Sequence, residues 1–327
     1  MKILFYNAKP YDKVWFEPLA EKMNYKIKFS SIRLNSDSVG LAHGYDAVCA
    51  FVNDDIDKEV IERLAEMNVK GILMRCAGYN NVDLKAAEGK IKVLRVPSYS
   101  PQAVAEFAVA LLMSVNRKTH RAYVRTREFN MNINGLMGED LYKKTAGIIG
   151  TGKIGQAMIQ IMKGFGMRVL AYDVYQNPDL DVEYVSLDEL FKESDVISLH
   201  CPLTEDTKYI VNEESINKMK TGVYIINTSR GQLIKTEDLL EALKIPGRLG
   251  GVGLDVYEEE DEVFYEDKSN EVMTDEILAR LVTFPNVVVT SHQGYFTKEA
   301  MEAIANVTME NARALFSGEE LVNEVKA

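Results

Sequence analysis

Short apolar runs alternate with longer amphipathic stretches along most of the chain. Residues 3–6, 47–51 and 71–76 are apolar runs bounded by polar or turn residues, which is the pattern of buried strands. Between them, residues 14–23 and 58–67 have apolar side chains at helical spacing. This alternation predicts a parallel β-sheet covered by helices.

The same pattern starts again after a segment marked by two prolines. Pro97 and Pro101 bracket residues 98–100, which we expect to be extended because proline disfavours a helical residue before it. A long apolar helix is predicted over 103–115. The remaining predicted elements are strands over 145–149, 168–172, 196–199, 223–227, 250–255 and 287–290, and helices over 155–165 and 299–315. Two such blocks predict an α/β protein with two doubly wound parallel-sheet domains.

Composition narrows the possible functions. A length of 327 residues favours two domains over one core. The net charge of -11 argues against nucleic-acid binding, which needs clustered Lys and Arg. No run approaches the roughly 18 apolar residues of a membrane span, and the first six residues read as a strand rather than a signal peptide. Three cysteines without CxxC spacing suit a reducing cytoplasm, and no metal site is expected.

A glycine motif lies at the predicted junction of strand 145–149 and helix 155–165. Its first glycine permits a tight turn, its second lets the backbone approach a pyrophosphate, and its third allows close packing of helix on strand. The helix N-terminus would face the phosphates. The motif therefore predicts dinucleotide binding by Gly150, Gly152, Lys153, Ile154 and Gly155.

Asp173 ends the next predicted strand, 18 residues after Gly155. A carboxylate at this position accepts hydrogen bonds from the ribose hydroxyls and repels a 2′-phosphate. Val174 and Tyr175 follow it, so no arginine is at hand to bind that phosphate. The sequence predicts NAD, in preference to NADP.

Polar residues follow three further predicted strands, where open α/β sheets bind ligands. Arg230 can present a planar charged fork to a substrate carboxylate, although taken alone it is more often a surface residue that caps a helix. Residues 253–260 offer four carboxylates, any of which could orient an imidazole and keep it protonated near neutral pH. The alternative interpretation of the acidic run 258–262 is a solvated loop.

His292 is the best candidate for a proton donor among the four histidines. It follows an apolar strand and is flanked by polar residues. His43 and His120 have surroundings typical of surface residues, and His200 ends the strand 196–199, where it could line a nucleotide cleft. A single histidine is more often structural than catalytic, but its combination with Arg230 and the acidic segment favours catalysis.

These segments are where the chain resembles the D-specific 2-hydroxyacid dehydrogenases, over nearly its whole length. The resemblance implies a Rossmann NAD-binding domain at 100–297, inserted into a flavodoxin-like substrate domain at 1–99 and 298–327, with the site in the cleft between them. It implies that Arg230 binds the substrate carboxylate, that Glu260 is the acidic partner of His292, and that His292 protonates the carbonyl oxygen as NADH delivers hydride. Further positions along the cofactor would be Cys201, Pro202, Thr207, Thr228, Ser229, Arg230 and Asp255.

Within the family, the loops around 47–55, 75–78 and 96–101 resemble the subgroup that reduces pyruvate to D-lactate. Tyr79 and Asn80 depart from the pattern and put the pocket size in doubt. The resemblance implies that the amides of Ala77 and Gly78 bind the substrate carboxylate and that Tyr99 borders the substrate. Phe51 and Tyr295 would close a small apolar pocket. Arg230 and His292 would also contact the substrate.

Two other functions stay open at this point. One is reduction of a larger 2-keto acid, giving for example 2-hydroxyisocaproate or phenyllactate, because one methylene in an apolar pocket changes discrimination by only about 1–3 kcal/mol. The other is a non-enzymatic, NAD-sensing protein of corepressor type, since fold does not fix function. The helices flanking the nucleotide domain, residues 103–115 among them, resemble a surface for a homodimer or homotetramer, and the alternative interpretation is ordinary core packing.

Overall fold

The computed structural model describes residues 1–260 and 263–327. The chain divides into two compact units, one formed by Met1–Ser100 with Thr297–Ala327 and the other by Pro101–Phe296. Of the acidic run noted in the sequence, Asp261 and Glu262 lie outside the described residues. The α/β fold with two parallel sheets is the predicted one.

The first unit contains a five-stranded parallel sheet in the order β2-β1-β3-β4-β5. This order is that of flavodoxin-like folds. The strands are β1 (Lys2–Phe5), β2 (Lys26–Phe29), β3 (Ala47–Ala50), β4 (Gly71–Met74) and β5 (Lys92–Leu94), and the helices that precede the second unit are α1 (Pro10–Lys22), α2 (Lys58–Glu66) and α3 (Leu84–Ala87). The three central strands are buried nearly throughout, as expected for a sheet covered on both faces.

The C-terminal helix, Lys298–Ser317, and the tail after it complete this first unit. The helix packs against β4 so closely that a Cβ added to Gly71 would lie 2.5 Å from the Leu315 side chain. Glu324 then pairs antiparallel with Leu94, and the amide of Val325 donates to a main-chain oxygen of β5. The end of the chain thus extends the sheet at the β5 edge.

A buried arginine lies where β4 ends. The Arg75 side chain is only 5% exposed, and its Nη2 donates to the main-chain oxygen of Asn7 over 3.0 Å. The rings of Phe5 and Phe51 lie 4.5 and 4.6 Å from its guanidinium carbon. A cation between two aromatic faces gains electrostatic stabilisation that partly offsets its loss of hydration.

Two buried carboxylates surround this arginine. Asp12 Oδ1 lies 3.8 Å from Arg75 Nε, and Asp54 accepts the amides of Phe51 and Leu34 over 2.6 and 2.8 Å. Burial raises the pKa of both carboxyls, and the charge of Arg75 opposes that rise. The arginine is therefore the main counter-charge for two groups that would otherwise be costly to bury.

The second unit contains a seven-stranded sheet in the order β12-β11-β10-β9-β6-β7-β8, with every pairing parallel. Its strands are β6 (Thr145–Ile149), β7 (Arg168–Tyr172), β8 (Glu183–Tyr184), β9 (Val196–Leu199), β10 (Val223–Asn227), β11 (Leu249–Leu254) and β12 (Val287–Val289). Its helices are α4 (Pro101–Arg117), α5 (Thr119–Arg127), α6 (Lys153–Gly164), α7 (Leu187–Glu193), α8 (Glu213–Lys218), α9 (Thr236–Leu243) and α10 (Glu276–Leu281). The order of strands reverses between β6 and β9, as in Rossmann folds, which makes that point the expected ligand crevice.

The observed element bounds differ slightly from the predicted ones. Helix α4 starts at Pro101 rather than at residue 103, because proline is well suited to the first helical position, where no amide donor is needed. The predicted strand 71–76 ends at Met74, because Arg75 and Cys76 leave the sheet for the loop beyond it. None of the described helices has the length and apolar character needed to cross a membrane.

We predict that Arg75→Met lowers the free energy of unfolding at pH 7 by about 3–5 kcal/mol, because it leaves Asp12 and Asp54 buried without their counter-charge. Urea unfolding followed by the fluorescence of Trp15, the only tryptophan of the chain, reports on this unit. Arg313→Met removes an exposed arginine of the same unit and should change the free energy by less than about 0.5 kcal/mol.

The loss in free energy of unfolding caused by Arg75→Met should become smaller as the pH falls from 7 towards 5. The pKa values of Asp12 and Asp54 are raised in the folded state, so the folded protein binds more protons than the unfolded chain at a pH between the ordinary and the raised pKa. Within that pH range, lowering the pH favours folding. Loss of Arg75 raises both pKa values further and widens this window. A deficit that stays constant over that pH range would contradict the assigned network.

Candidate active site

The glycine motif forms the turn between β6 and α6. Gly150 has a φ of +95°, and a Cβ there would lie 2.5 Å from the amide nitrogen of Cys201. A Cβ on Gly155 would lie 2.0 Å from the Gly150 oxygen, whereas a Cβ on Gly152 would meet nothing within 4 Å. The first and third glycines are thus required for packing, and the second leaves open space in front of the helix.

The N-terminus of α6 is suited to an anion. Gly152 occupies the N-cap position, and no side chain caps the helix there. Its first amides therefore remain available, and the helix dipole places partial positive charge at this end. This arrangement fits a dinucleotide pyrophosphate.

Asp173 follows β7 and lies beside the same turn. Its Oδ2 accepts the amide and hydroxyl of Thr151 over 2.6 and 3.0 Å, and its Oδ1 accepts the amide of Tyr175 over 2.9 Å. Partial burial acts to raise the pKa of Asp173, but these hydrogen bonds outweigh it and the pKa is lowered. The carboxylate is ionised at neutral pH, so it opposes a 2′-phosphate.

The segment after β9 borders the glycine turn and the end of β10. Cys201 is buried, and its main-chain oxygen accepts the Ser229 hydroxyl over 2.7 Å. Thr207 Oγ1 donates to the main-chain oxygen of Pro202 over 2.7 Å. Thr228 Oγ1 is buried without a hydrogen-bond partner in the described part of the chain. A buried hydroxyl with an unmet bond at the sheet's carboxyl edge fits a bound polar ligand.

His200 is half-buried at this edge. Its Nε2 lies 2.9 Å from Ser198 Oγ, and burial lowers its pKa to about 4. The imidazole is therefore neutral under ordinary conditions. It does not have the protonated form that an acid catalyst needs near neutral pH.

Glu260 and His292 form a close pair. Glu260 Oε1 lies 2.7 Å from His292 Nδ1, and Glu260 Oε2 accepts the amide of Tyr257 over 2.9 Å. Both side chains are about one-fifth exposed, at 19% and 18%. Since the carboxylate is fixed through both oxygens and binds Nδ1, His292 Nε2 is the ring nitrogen free to exchange a proton with a substrate.

Two of the other acidic candidates have partners other than His292 Nδ1. Glu258 accepts the Tyr209 hydroxyl and the amide of Thr236. Asp255 is buried and accepts the Thr290 hydroxyl over 2.6 Å and the amides of Gln293 and Gly294 over 2.9 and 2.7 Å. Burial raises the pKa of Asp255 and these bonds oppose the rise, so its contacts serve to hold the turn that carries His292.

Arg230 lies in the turn after β10. Its Nη1 donates to the main-chain oxygen of Ser229 over 2.7 Å, and within 1–260 and 263–327 no carboxylate pairs with it. The next residue, Gly231, packs so tightly that an added Cβ would lie 2.0 Å from the Tyr257 oxygen. The backbone that carries Arg230 is therefore packed directly on the turn that carries Glu260.

The loop after β4 in the first unit is held by Arg95. Arg95 Nη1 donates to the Ala77 oxygen over 2.9 Å, and its guanidinium lies 5.0 Å from the centre of the Tyr79 ring. In a trans peptide the oxygen and the following N–H point in opposite directions, so the Gly78 amide faces away from Arg95. The ring of Tyr79, one of the two residues that depart from the family pattern, thus packs on the Arg95 guanidinium. Tyr99 is partly exposed in the same unit.

Several residues of these sites were not predicted. Thr151 occupies a variable position of the glycine motif, yet its hydroxyl binds Asp173. Tyr257 acts through its backbone amide, for which the sequence carries no signal. Arg75 could have been noticed as a charge that follows the apolar run of β4. Tyr295 was predicted, and its ring packs edge-on against Phe296 at 6.1 Å.

The fold and the carboxylate–imidazole pair are those of a dehydrogenase, and comparison with known proteins specifies which kind. A family model described as the NAD-binding domain of D-isomer specific 2-hydroxyacid dehydrogenases matches residues 109–294. The chain belongs to this family and is an NAD-dependent oxidoreductase that acts on a small molecule.

Individual relatives extend the match to the whole chain. D-lactate dehydrogenase of Escherichia coli is 49% identical over 99% of this chain and 100% of its own length. A 2-hydroxyacid dehydrogenase homolog of Haemophilus influenzae is 50% identical over 99% of both chains. The apo structure of the E. coli enzyme matches with a TM-score of 0.91 and 46% identity over 99% of this chain and 100% of that one.

The cofactor is NAD. D-lactate dehydrogenase of Lactobacillus jensenii, solved with NAD+, matches with a TM-score of 0.83 and 32% identity over the full length of both chains. The open space at Gly152, the uncapped α6 N-terminus and the ionised Asp173 fit a dinucleotide without a 2′-phosphate.

We predict that Asp173→Ala raises the ratio of kcat/KM with NADPH to that with NADH, because it removes both a ribose acceptor and a repelling charge. Steady-state rates with each cofactor at fixed 2-keto acid give this ratio. Asp181→Ala, which removes an exposed carboxylate of the same unit, serves as the control. An unchanged ratio in Asp173→Ala would exclude Asp173 as the ribose anchor.

Proposed function

We propose that the protein interconverts pyruvate and NADH with D-lactate and NAD+. The observation that carries this proposal is the 2.7 Å contact between Glu260 and His292 Nδ1, which leaves Nε2 free for proton transfer. The full-length similarity to E. coli D-lactate dehydrogenase supports pyruvate as the substrate. A pyruvate reductase structure of Chlamydomonas reinhardtii, 40% identical over 99% of this chain with a TM-score of 0.94, supports it further.

In the direction of reduction, NADH when bound supplies the hydride to the carbonyl carbon. His292 Nε2 donates its proton to the carbonyl oxygen, and the alcohol forms without a free alkoxide. Glu260 accepts the hydrogen bond from Nδ1–H and so holds the imidazole in place. In lactate oxidation the same nitrogen takes the proton back, so one residue serves both directions.

Arg230 is proposed to bind the substrate carboxylate. Its guanidinium is permanently charged and lacks a carboxylate partner within the described residues, so its charge is available to an anion. The Ala77 and Gly78 amides are proposed as further donors to that carboxylate, with the Gly78 amide directed by Arg95. Tyr99 and Tyr295, with Phe51, are proposed to border the methyl group.

Cofactor contacts are proposed for the residues grouped at the carboxyl edge of the second sheet. Thr228 would use the hydroxyl that has no protein partner, and Cys201 and Pro202 would form the wall opposite the glycine turn. The full proposed set is Gly150, Gly152, Lys153, Ile154, Gly155, Asp173, Cys201, Pro202, Thr207, Thr228, Ser229, Arg230 and Asp255.

A homo-oligomer is proposed from the surface of the second unit. Helix α5 has no buried residue, and exposed apolar side chains continue beyond it. Several exposed apolar side chains within one stretch of chain favour an interaction surface. Its members are Tyr123, Val124, Phe129, Met131, Ile133, Met137 and Tyr142. This surface supports a homodimer or homotetramer through the NAD-binding domain, and the three free, buried cysteines support a cytoplasmic location.

The function is tested by steady-state NADH oxidation with pyruvate, 2-ketobutyrate, 2-ketoisocaproate and phenylpyruvate. We expect the highest kcat/KM with pyruvate. A D-2-hydroxyisocaproate dehydrogenase structure also matches, at 32% identity and a TM-score of 0.88, so preference for 2-ketoisocaproate is the main alternative. Turnover of none of these acids would refute the proposed reaction.

We predict that His292→Ala lowers kcat by roughly 10²–10⁴-fold, the usual contribution of a general acid. NADH binding, measured by fluorescence, should change little, since the imidazole is proposed to act on the substrate. His43→Ala alters an exposed histidine of the first unit and provides the control. A wild-type rate in His292→Ala would remove His292 from the mechanism.

Arg230→Lys should mainly raise KM for the keto acid, because a point charge replaces a fork that binds a carboxylate through two parallel hydrogen bonds. The control is Arg168→Lys, at the amino end of β7 and therefore at the opposite edge of the sheet. A normal KM in Arg230→Lys would refute the proposed carboxylate contact.

A further inference from the structure

His292 has a backbone conformation that a non-glycine residue seldom adopts. Its φ is +51°, in the left-handed region, where a side chain is disfavoured unless surrounding contacts compensate. Its amide donates to the main-chain oxygen of Asp255 over 2.7 Å, which fixes the amino side of the residue. The other side needs a separate restraint.

Tyr265 provides that restraint. Its hydroxyl donates to the main-chain oxygen of His292 over 3.0 Å. Its ring is stacked with the imidazole, at 6.2 Å between centroids and 30° between planes. One side chain therefore contacts both the backbone and the ring of His292.

The position of Tyr265 is itself fixed by packing. It lies against a small buried apolar cluster formed by Tyr257, Phe264 and Leu278. Tyr257 belongs to the turn that carries Glu260, so the cluster connects the supports of both members of the pair. Movement of Tyr265 relative to Glu260 is limited by this packing.

We propose that Tyr265 is a positioning residue that holds His292 in the orientation for proton transfer. Three segments then restrain His292: Asp255 holds its amide, Tyr265 its carbonyl and ring face, and Glu260 its Nδ1. Without the hydroxyl the turn can relax out of the left-handed conformation, which displaces Nε2. The inference rests on the proposed role of His292 as the proton donor.

A positioning role predicts an effect on turnover and not on binding. Tyr265→Phe keeps the ring and its stacking but removes the hydrogen bond. We expect kcat with pyruvate to fall about 3- to 10-fold, the factor that one neutral hydrogen bond of typical net strength supplies. KM for pyruvate and for NADH should stay within about 2-fold. The isotope effect of 4-deuterated NADH on kcat should stay equal or rise, because chemistry is the slowed step.

A second measurement does not depend on turnover. Hydrogen exchange of the peptide that spans residues 289–295, followed by mass spectrometry, should be faster in Tyr265→Phe, since the turn opens more readily. Tyr209→Phe is the matched control: it also removes a tyrosine hydroxyl bond in the second unit, but its partner is Glu258 and not His292. We expect wild-type kcat and exchange in this control.

Unchanged kcat and unchanged exchange in Tyr265→Phe would overturn the proposal, and so would equal effects in Tyr209→Phe. A raised KM with a normal kcat would also overturn it, since that result indicates a substrate contact. If the wild-type enzyme turns over no 2-keto acid, the proposed function fails by itself. The exchange comparison then still decides whether Tyr265 holds the turn.

Discussion

The hydrogen bond between Glu260 Oε1 and His292 Nδ1 is the interaction on which the chemistry proposed for this enzyme depends. Its partners come from turns after β11 and β12, which are neighbours in a parallel sheet and so end at the same edge. A hydrogen bond between a carboxylate and a protonated imidazole is roughly twice as strong as a neutral one. It fixes both the orientation of the ring and the nitrogen that carries the exchangeable proton.

The turns around this pair are held mainly by backbone contacts. Asp255 is a buried carboxylate that accepts three hydrogen bonds from residues 290–294, and its burial is tolerated because those bonds replace water. Gly231 brings the Arg230 turn against the oxygen of Tyr257 at a distance no side chain would allow. Backbone strain at His292 and a buried carboxylate at Asp255 are features that ordinary folding rules disfavour, and both occur at this site.

Much of the architecture could be predicted from the sequence. The central strands are continuous apolar runs, and the glycine turn at 150–155 lies between a strand and a helix, where its function requires it. Strands β2 and β5 were not predicted: β2 alternates lysine with apolar residues, and β5 has only three residues. Those strands are specified by pairing with their neighbours, which a local pattern does not report.

The candidate site also contains residues that the sequence could predict and residues that it could not. Arg230 and His292 could be proposed because strand ends are the expected positions of ligand-binding side chains, whereas Glu260 was chosen among four acids only through family resemblance. Tyr265 could not be found, because its contact with His292 depends on the fold of the chain between the two residues and not on any spacing. Arg95 was missed for a similar reason, since it acts on the Ala77 oxygen.

Membership of the D-isomer specific family indicates a D-specific reductase of a 2-keto acid, and we propose this pair as its proton donor. The most direct measurement is the configuration of the lactate formed from pyruvate and NADH, resolved by chiral chromatography after complete conversion. We predict D-lactate in an amount equimolar to the NADH consumed, with no detectable L-isomer. L-lactate or a racemic product would contradict it.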